Sequence, residues 1–144
     1  MAAYIHNIAT VVPEQFYEQN FLRDRMKEYI GNEETTKRII HRIYSNSGIK
    51  KRHTVINDFQ GNGDPRFFFQ KDGTLNKPST GKRNDSYAEK AKKLFVDTAR
   101  KTIDDHQSLT TNDITHVITA SCTGFFAPEP GFEIIRQLGL SPST

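Results

Sequence analysis

A layered α/β fold is what this sequence predicts, and three observations carry the prediction. Apolar, β-branched runs of strand length stand at Tyr4–Val12, Ile49–Ile56 and Thr115–Ser121. Segments between and after them carry apolar residues at helical spacing. The two kinds of segment alternate along the chain, as they do when helices cover a sheet.

Each element has its own signal. Tyr4–Val12 (YIHNIATVV) ends at Pro13 and reads as a strand. From Glu14 to Ile30, Phe21, Leu22, Met26, Tyr29 and Ile30 recur at helical spacing, and Gly31 closes the helix. A second helix spans about Glu33 to Tyr44, with Ile39, Ile40 and Ile43 as its apolar stripe, and Ser45-Asn46-Ser47-Gly48 ends it. Ile49–Ile56 (IKKRHTVI) reads as the next strand. Residues 57–84 form a long irregular loop, broken by Gly61, Gly63, Asp64-Pro65, Asp72-Gly73, Pro78 and Gly81. Three adjacent phenylalanines, Phe67-Phe68-Phe69, are costly to expose, so they should anchor this loop. Ser86-Tyr87-Ala88-Glu89 reads as a capping box opening a helix that runs to about His106, with Ala88, Ala91, Phe95, Ala99 and Ile103 on one face. Leu109–Asp113 is a polar turn, and Thr115–Ser121 a central strand. Pro130 suits the first turn of the last helix, and Gly139 its end. The 144 residues read as a single domain with no repeat and no internal boundary.

Composition narrows the function classes. The net charge of +3 comes from cations interleaved with acids along the chain, which is not the basic stripe of a nucleic-acid binder. One cysteine excludes an internal disulfide and fits a reducing, cytoplasmic setting. The N-terminus lacks the basic region of a secretory signal, and no apolar run approaches the roughly 20 residues that span a bilayer. The five histidines, His6, His41, His53, His106 and His116, show no metal-ligand spacing with one another or with Cys122. Gly61-Asn62-Gly63 lacks the third glycine and the strand–helix setting of a dinucleotide loop and reads as a turn.

Two groups of residues carry chemistry. Cys122 follows a strand and lies near Gly124, where backbone amides can favour a thiolate. A thiol nucleophile needs a base in reach, however, and His116 is about 20 Å away along an extended chain. Cys122 therefore reads more readily as an inert or pocket-lining residue than as a nucleophile. The second group is basic: Lys37, Arg38 and Arg42 on a helix, and Lys50, Lys51 and Arg52 just after it. Such a cluster is either a solvated face or an anion site for a phosphorylated ligand, which arginine suits through bidentate contacts.

Four separated stretches, in order, resemble type III polyketide synthases of the chalcone and stilbene synthase group. Ser47–Ile56 is similar to their SGIxKRHTVI segment, with Asp58-Phe59 following. Arg83–Ala91 is similar to the RNxxYxxxA helix start, Asp113–His116 to DITH, and Ser121–Gly124, Pro128 and Leu138–Leu140 to the SCTG…P…LGL block. The resemblance covers essentially the whole chain and less than half of the family's length. It implies the N-terminal part of a thiolase-like fold and a homodimeric acyltransferase that condenses malonyl-CoA units onto an acyl-CoA starter. Coenzyme A thioesters are then substrates, with no metal, nucleic acid or membrane span involved. It also implies that the catalytic Cys, His and Asn lie beyond Thr144, so that none is in this chain and the fragment alone is inactive. Cys122 and Thr123 match positions lining the substrate cavity, and Ala127 matches the position that reaches into the partner's cavity. Arg42 matches one coenzyme A phosphate contact. The other two family cations fall on Ile39 and Asn46, for which Arg38 or Lys50 could substitute. Glu129 and Gly131 also depart from the family, which usually has Gly and Asp there.

Two other readings stand beside this one. The chain could be the N-terminal half of a ketoacyl synthase III-like enzyme with Cys122 as nucleophile, although Pro128 and the LGL block fit the stretch before the nucleophile instead. It could also be a small non-enzymatic α/β binding module.

Overall fold

The computed structural model describes residues 2–59 and 66–144. The turns expected over Gly61–Gly63 and Asp64-Pro65 lie outside the described residues. The chain forms two compact units, one of Met1–Val11 with Ser79–Thr144 and the other of Val12–Pro78.

In the second of these units a short strand β1 (Phe16–Glu18) leads directly into helix α1 (Gln19–Ile30), followed by α2 (Glu34–Ser45) and strand β2 (Lys51–His53). The helix expected from Glu14 thus begins five residues later. The backbone of residues 16–18 is taken up by antiparallel pairing with β2, in the register Phe16–His53, Tyr17–Arg52 and Glu18–Lys51. Thr54 N–H to Gln15 O and Gln19 N–H to Lys50 O continue that ladder at either end. Of the strand expected over Ile49–Ile56, only these three residues pair. α2 keeps its expected bounds to within a residue, but only Ile40 of its apolar stripe is buried, and Ile39 and Ile43 are exposed.

The core of this unit is aromatic. Tyr17 stacks on Phe21 at 5.7 Å, and Phe59 meets both rings edge-on at 5.6 Å. Phe69 packs against Phe59 at 4.6 Å and Tyr29 at 4.8 Å, so the phenylalanine run does anchor its loop. What orders that loop is Asp58, only 2% exposed, whose two carboxylate oxygens accept the amides of Phe67, Phe68 and Phe69 at 2.6, 2.7 and 3.1 Å. A carboxylate receiving three amides satisfies donors that a buried turn would otherwise leave bare.

The other unit is built on helix α3 (Thr80–Asp104), which begins seven residues before the expected start. Its cap is Ser79, whose hydroxyl accepts the Lys82 amide at 3.2 Å. Ser86 therefore lies inside the helix, and Gly81 does not break it. α3 buries Ala91 and Val96. Val96 meets Ile134 and Leu140 in the core, with Phe95, Ala99, Ile114, Val117, Ile135 and Leu138 packed around them. Ile134 lies on α4 (Pro130–Leu138), which has the expected Pro at its start. Gly139 ends α4 at φ +64°, a left-handed conformation that glycine adopts without a Cβ penalty, and the Leu140 amide then returns to Ile135 O at 3.0 Å. The polar turn at 109–113 is a short 3₁₀ turn, closed by Thr110 and Asp113 bonding each other reciprocally.

Tyr4–Val12 and Thr115–Ser121 are not strands. A strand is made by its neighbour, and among the described residues neither segment has one to pair with. The first is tied to α3 through Asn7, whose side-chain amide donates to Thr102 O at 2.7 Å. The second packs Ile114 and Val117 on the core while Ile118 stays 94% exposed. An apolar groove of about 630 Å³ runs between this segment and α3, with Leu94, Phe95, Ile103 and Val117 among its lining.

Two stability predictions follow from buried carboxylates. Asp58→Ala leaves three loop amides without a partner and should cost about 2–4 kcal/mol in urea unfolding, with Asp58→Asn costing less because it keeps one acceptor. Glu133 on α4 accepts from Arg136 at 2.7 Å and Gln137 at 3.1 Å and faces Lys92 of α3 at 3.8 Å. The Arg136 bond first, then Gln137, holds its pKa below the ordinary glutamate value. A depressed pKa contributes stability above the unfolded-state pKa that is lost as pH falls through the folded value. The Tm gap between the parent and Glu133→Gln should therefore close as pH drops below about 4. A gap independent of pH would show that the carboxylate's charge is not what matters.

Candidate functional site

The residues expected to line a substrate cavity sit on the loop between the unpaired segment and α4. Cys122, Thr123 and Ala127 are all exposed. Cys122 makes no hydrogen bond among the described residues, and the ring of His116 bonds only the Thr115 hydroxyl, at 3.0 Å. Among the described residues no histidine hydrogen-bonds the thiol. Ala127 precedes Pro128 through a cis peptide bond. The two departures flank the start of α4: Glu129 is its N-cap, and Gly131 is buried where a Cβ would be in ordinary van der Waals contact, 3.4 Å from Glu129 Oε1 and 3.8 Å from Val117 Cγ1.

This loop has no sheet or helix of its own to hold it, and two side chains of α3 do so. Tyr87 Oη donates to Ser121 Oγ at 2.6 Å, and the Phe125 amide donates to Asn84 Oδ1 at 3.0 Å. Gly124 lies over the Tyr87 ring so closely that a Cβ would come within 2.6 Å of the ring and 3.0 Å of Asn84 Oδ1. Farther along the loop Phe126 lies 6.1 Å from the Tyr87 ring, and Lys92 Nζ stands 5.0 Å over the Phe126 ring. Sequence reasoning missed Asn84, Tyr87 and Lys92 as loop contacts. A signal was present, since Asn84 and Tyr87 are three apart on a helix and so share a face, but the side on which the loop crosses is a tertiary fact.

The basic residues belong to the other unit. Arg38 and Arg42 lie one turn apart on α2, and Lys50 immediately precedes β2. All three are exposed, and none has an acidic partner among the described residues. Of their neighbours, Lys37 pairs with Glu34, Lys51 with Glu18 and Lys27 with Asp24, while Arg52 has no acidic partner among the described residues. The turn that presents Lys50 is set by Ser47, whose hydroxyl donates to Tyr44 O at 2.9 Å and accepts from Gln19 and from the Ile49 amide. No group of three or more candidate metal ligands occurs among the described residues. No helix of the described residues is long and apolar enough to cross a membrane.

The chain belongs to the chalcone and stilbene synthase family: residues 2–144 match that family's N-terminal domain. It is 30% identical over 105 residues to 1,3,6,8-tetrahydroxynaphthalene synthase of Streptomyces coelicolor, spanning 72% of this chain and 24% of that protein. The crystal structure of PKS-I from the brown alga Ectocarpus siliculosus matches with a TM-score of 0.79 and 33% identity, over 97% of this chain and 37% of that one. The C-terminal type III polyketide synthase domain of Steely1 from Dictyostelium has the same fold, with a TM-score of 0.75, 22% identity and 36% of its chain covered. The architecture is the N-terminal part of the thiolase-like fold of type III polyketide synthases.

The ring seat under Gly124 makes one more prediction. Gly124→Ala forces the Tyr87 ring or the loop to move and should destabilise the protein by about 1–3 kcal/mol. Combining it with Tyr87→Ala should recover part of that loss in a double-mutant cycle followed by thermal unfolding.

Proposed function

We propose that this chain is the front part of an acyltransferase that condenses malonyl-CoA units onto an acyl-CoA starter. Membership of the chalcone and stilbene synthase family across residues 2–144 carries the reading. The enzyme works as a cytoplasmic homodimer, with coenzyme A thioesters as substrates. The nucleophile and its partners come from the rest of the protein, so the 144 residues alone perform no condensation. The ketoacyl synthase III alternative, with Cys122 as nucleophile, loses support because residues 2–144 match the chalcone and stilbene synthase N-terminal domain instead.

The chain's own residues do two things in this scheme. Arg42, with Arg38 and Lys50, receives the phosphates of coenzyme A. Cations without carboxylate partners hold no internal ion pair that a phosphate would have to displace, and guanidinium groups grip it bidentately. The absence of cations at Ile39 and Asn46 makes Arg38 and Lys50 the replacements. Cys122 and Thr123 form part of the wall against which the growing chain lies, and Ala127 extends the partner's wall.

The test is steady-state kinetics of the enzyme containing this chain. The nucleotide end is remote from the reacting carbon and is bound alike in ground and transition states. Arg42→Ala should therefore raise KM for malonyl-CoA and leave kcat nearly unchanged. One lost charge-assisted contact is worth about 1.5–3 kcal/mol, or roughly tenfold and more in kcat/KM. An unchanged KM would make the cluster a solvated face. Absence of any malonyl-CoA turnover would remove the functional assignment itself.

A further inference from the structure

We propose that Asn84 and Tyr87 are positioning residues that set starter selectivity by fixing the loop Ser121–Phe125 to α3; the proposal rests on the reading of Cys122 and Thr123 as cavity wall. The loop is tied at its two ends, by the Tyr87 hydroxyl on Ser121 and by the Asn84 carbonyl on the Phe125 amide. Only Cys122, Thr123 and Gly124 lie between the ties. Ser121 Oγ also accepts the Thr123 amide at 3.5 Å, which folds the bridge back on its first anchor. The Tyr87 ring fills the space where a side chain at 124 would stand, so the bridge rests on that ring as well. A three-residue bridge held at both ends and seated on a ring cannot shift without breaking one of these contacts.

The platform beneath it is firm. Ser79 caps α3 a little over one turn before Asn84, and Ala91 and Val96 are buried just beyond Tyr87. The wall residues themselves have no such support, because Cys122 and Thr123 are exposed and Cys122 bonds nothing. Their position is therefore inherited from α3. Selectivity among acyl chains is sensitive to such placement: one methylene more or less against an apolar wall changes kcat/KM by about 10–200-fold. A wall displaced by about 1 Å acts on a reacting geometry with comparable force. Asn84 and Tyr87 touch neither substrate nor nucleophile in this scheme and act only through the loop.

The experiment compares kcat/KM for a short and a long acyl-CoA starter in the enzyme containing this chain, and follows hydrogen exchange at the Phe125 amide. Asn84→Leu keeps the side chain's bulk and removes the acceptor. It should deprotect the Phe125 amide and change the starter ratio by about tenfold. Asn84→Asp restores an acceptor and should restore both readouts. Tyr87→Phe keeps the ring seat, removes only the hydroxyl and should shift the ratio in the same direction by less, which serves if Asn84→Leu does not fold. A deprotected Phe125 amide with an unchanged starter ratio overturns the selectivity claim and leaves the functional reading intact. A Phe125 amide still protected in Asn84→Leu overturns the clamp. A parent enzyme that condenses no starter overturns the functional reading and the selectivity claim together.

Discussion

The burial of Val96 against Ile134 and Leu140 is the contact on which one of the two units depends. It holds α3 to α4, and everything chemical in that unit is then hung on α3. The first turns of the helix seat the Ser121–Phe125 loop, its middle supplies the core, and its last turns receive Asn7. A helix can serve in this way because its backbone bonds are internal and its side chains repeat at known offsets. A loop has neither property, so Cys122 and Thr123 borrow their order from the helix. Core packing and site geometry are thus coupled through one element.

The other unit solves the same problem with a charge. Its core is made of rings from α1, β1 and the loop carrying Phe67–Phe69; the Tyr17 and Tyr29 hydroxyls bond the backbone at Phe59 and Gln70, but the rings leave the amides of Phe67–Phe69 unserved. Asp58 accepts them. Nearby carboxylates are spent on neighbouring lysines and arginines, whereas Arg38, Arg42 and Lys50 are left without one.

Much of this was determined by the sequence alone. The bounds of α2 and α4 were legible because their stripes, stop signals and terminal Pro and Gly are local, and local chemistry decides where a helix begins and ends. The family, and with it the fold class, was legible in four ordered motifs. The phenylalanine run was readable as an anchor from its hydrophobicity, though not the carboxylate that organises it.

Tertiary structure decided the rest. Tyr4–Val12 and Thr115–Ser121 have strand sequences and no strand, because a strand requires a second backbone at hydrogen-bonding distance and the described residues offer none. Phe16–Glu18 left the expected helix because β2 was there to pair with it. Ser79 and not Ser86 caps α3, its hydroxyl accepting the Lys82 amide. Ile39 and Ile43 are exposed although their spacing matches a buried face, since periodicity defines a stripe but not what covers it. The clamp of Asn84 and Tyr87 on a loop more than 30 residues away joins groups whose proximity no local pattern encodes.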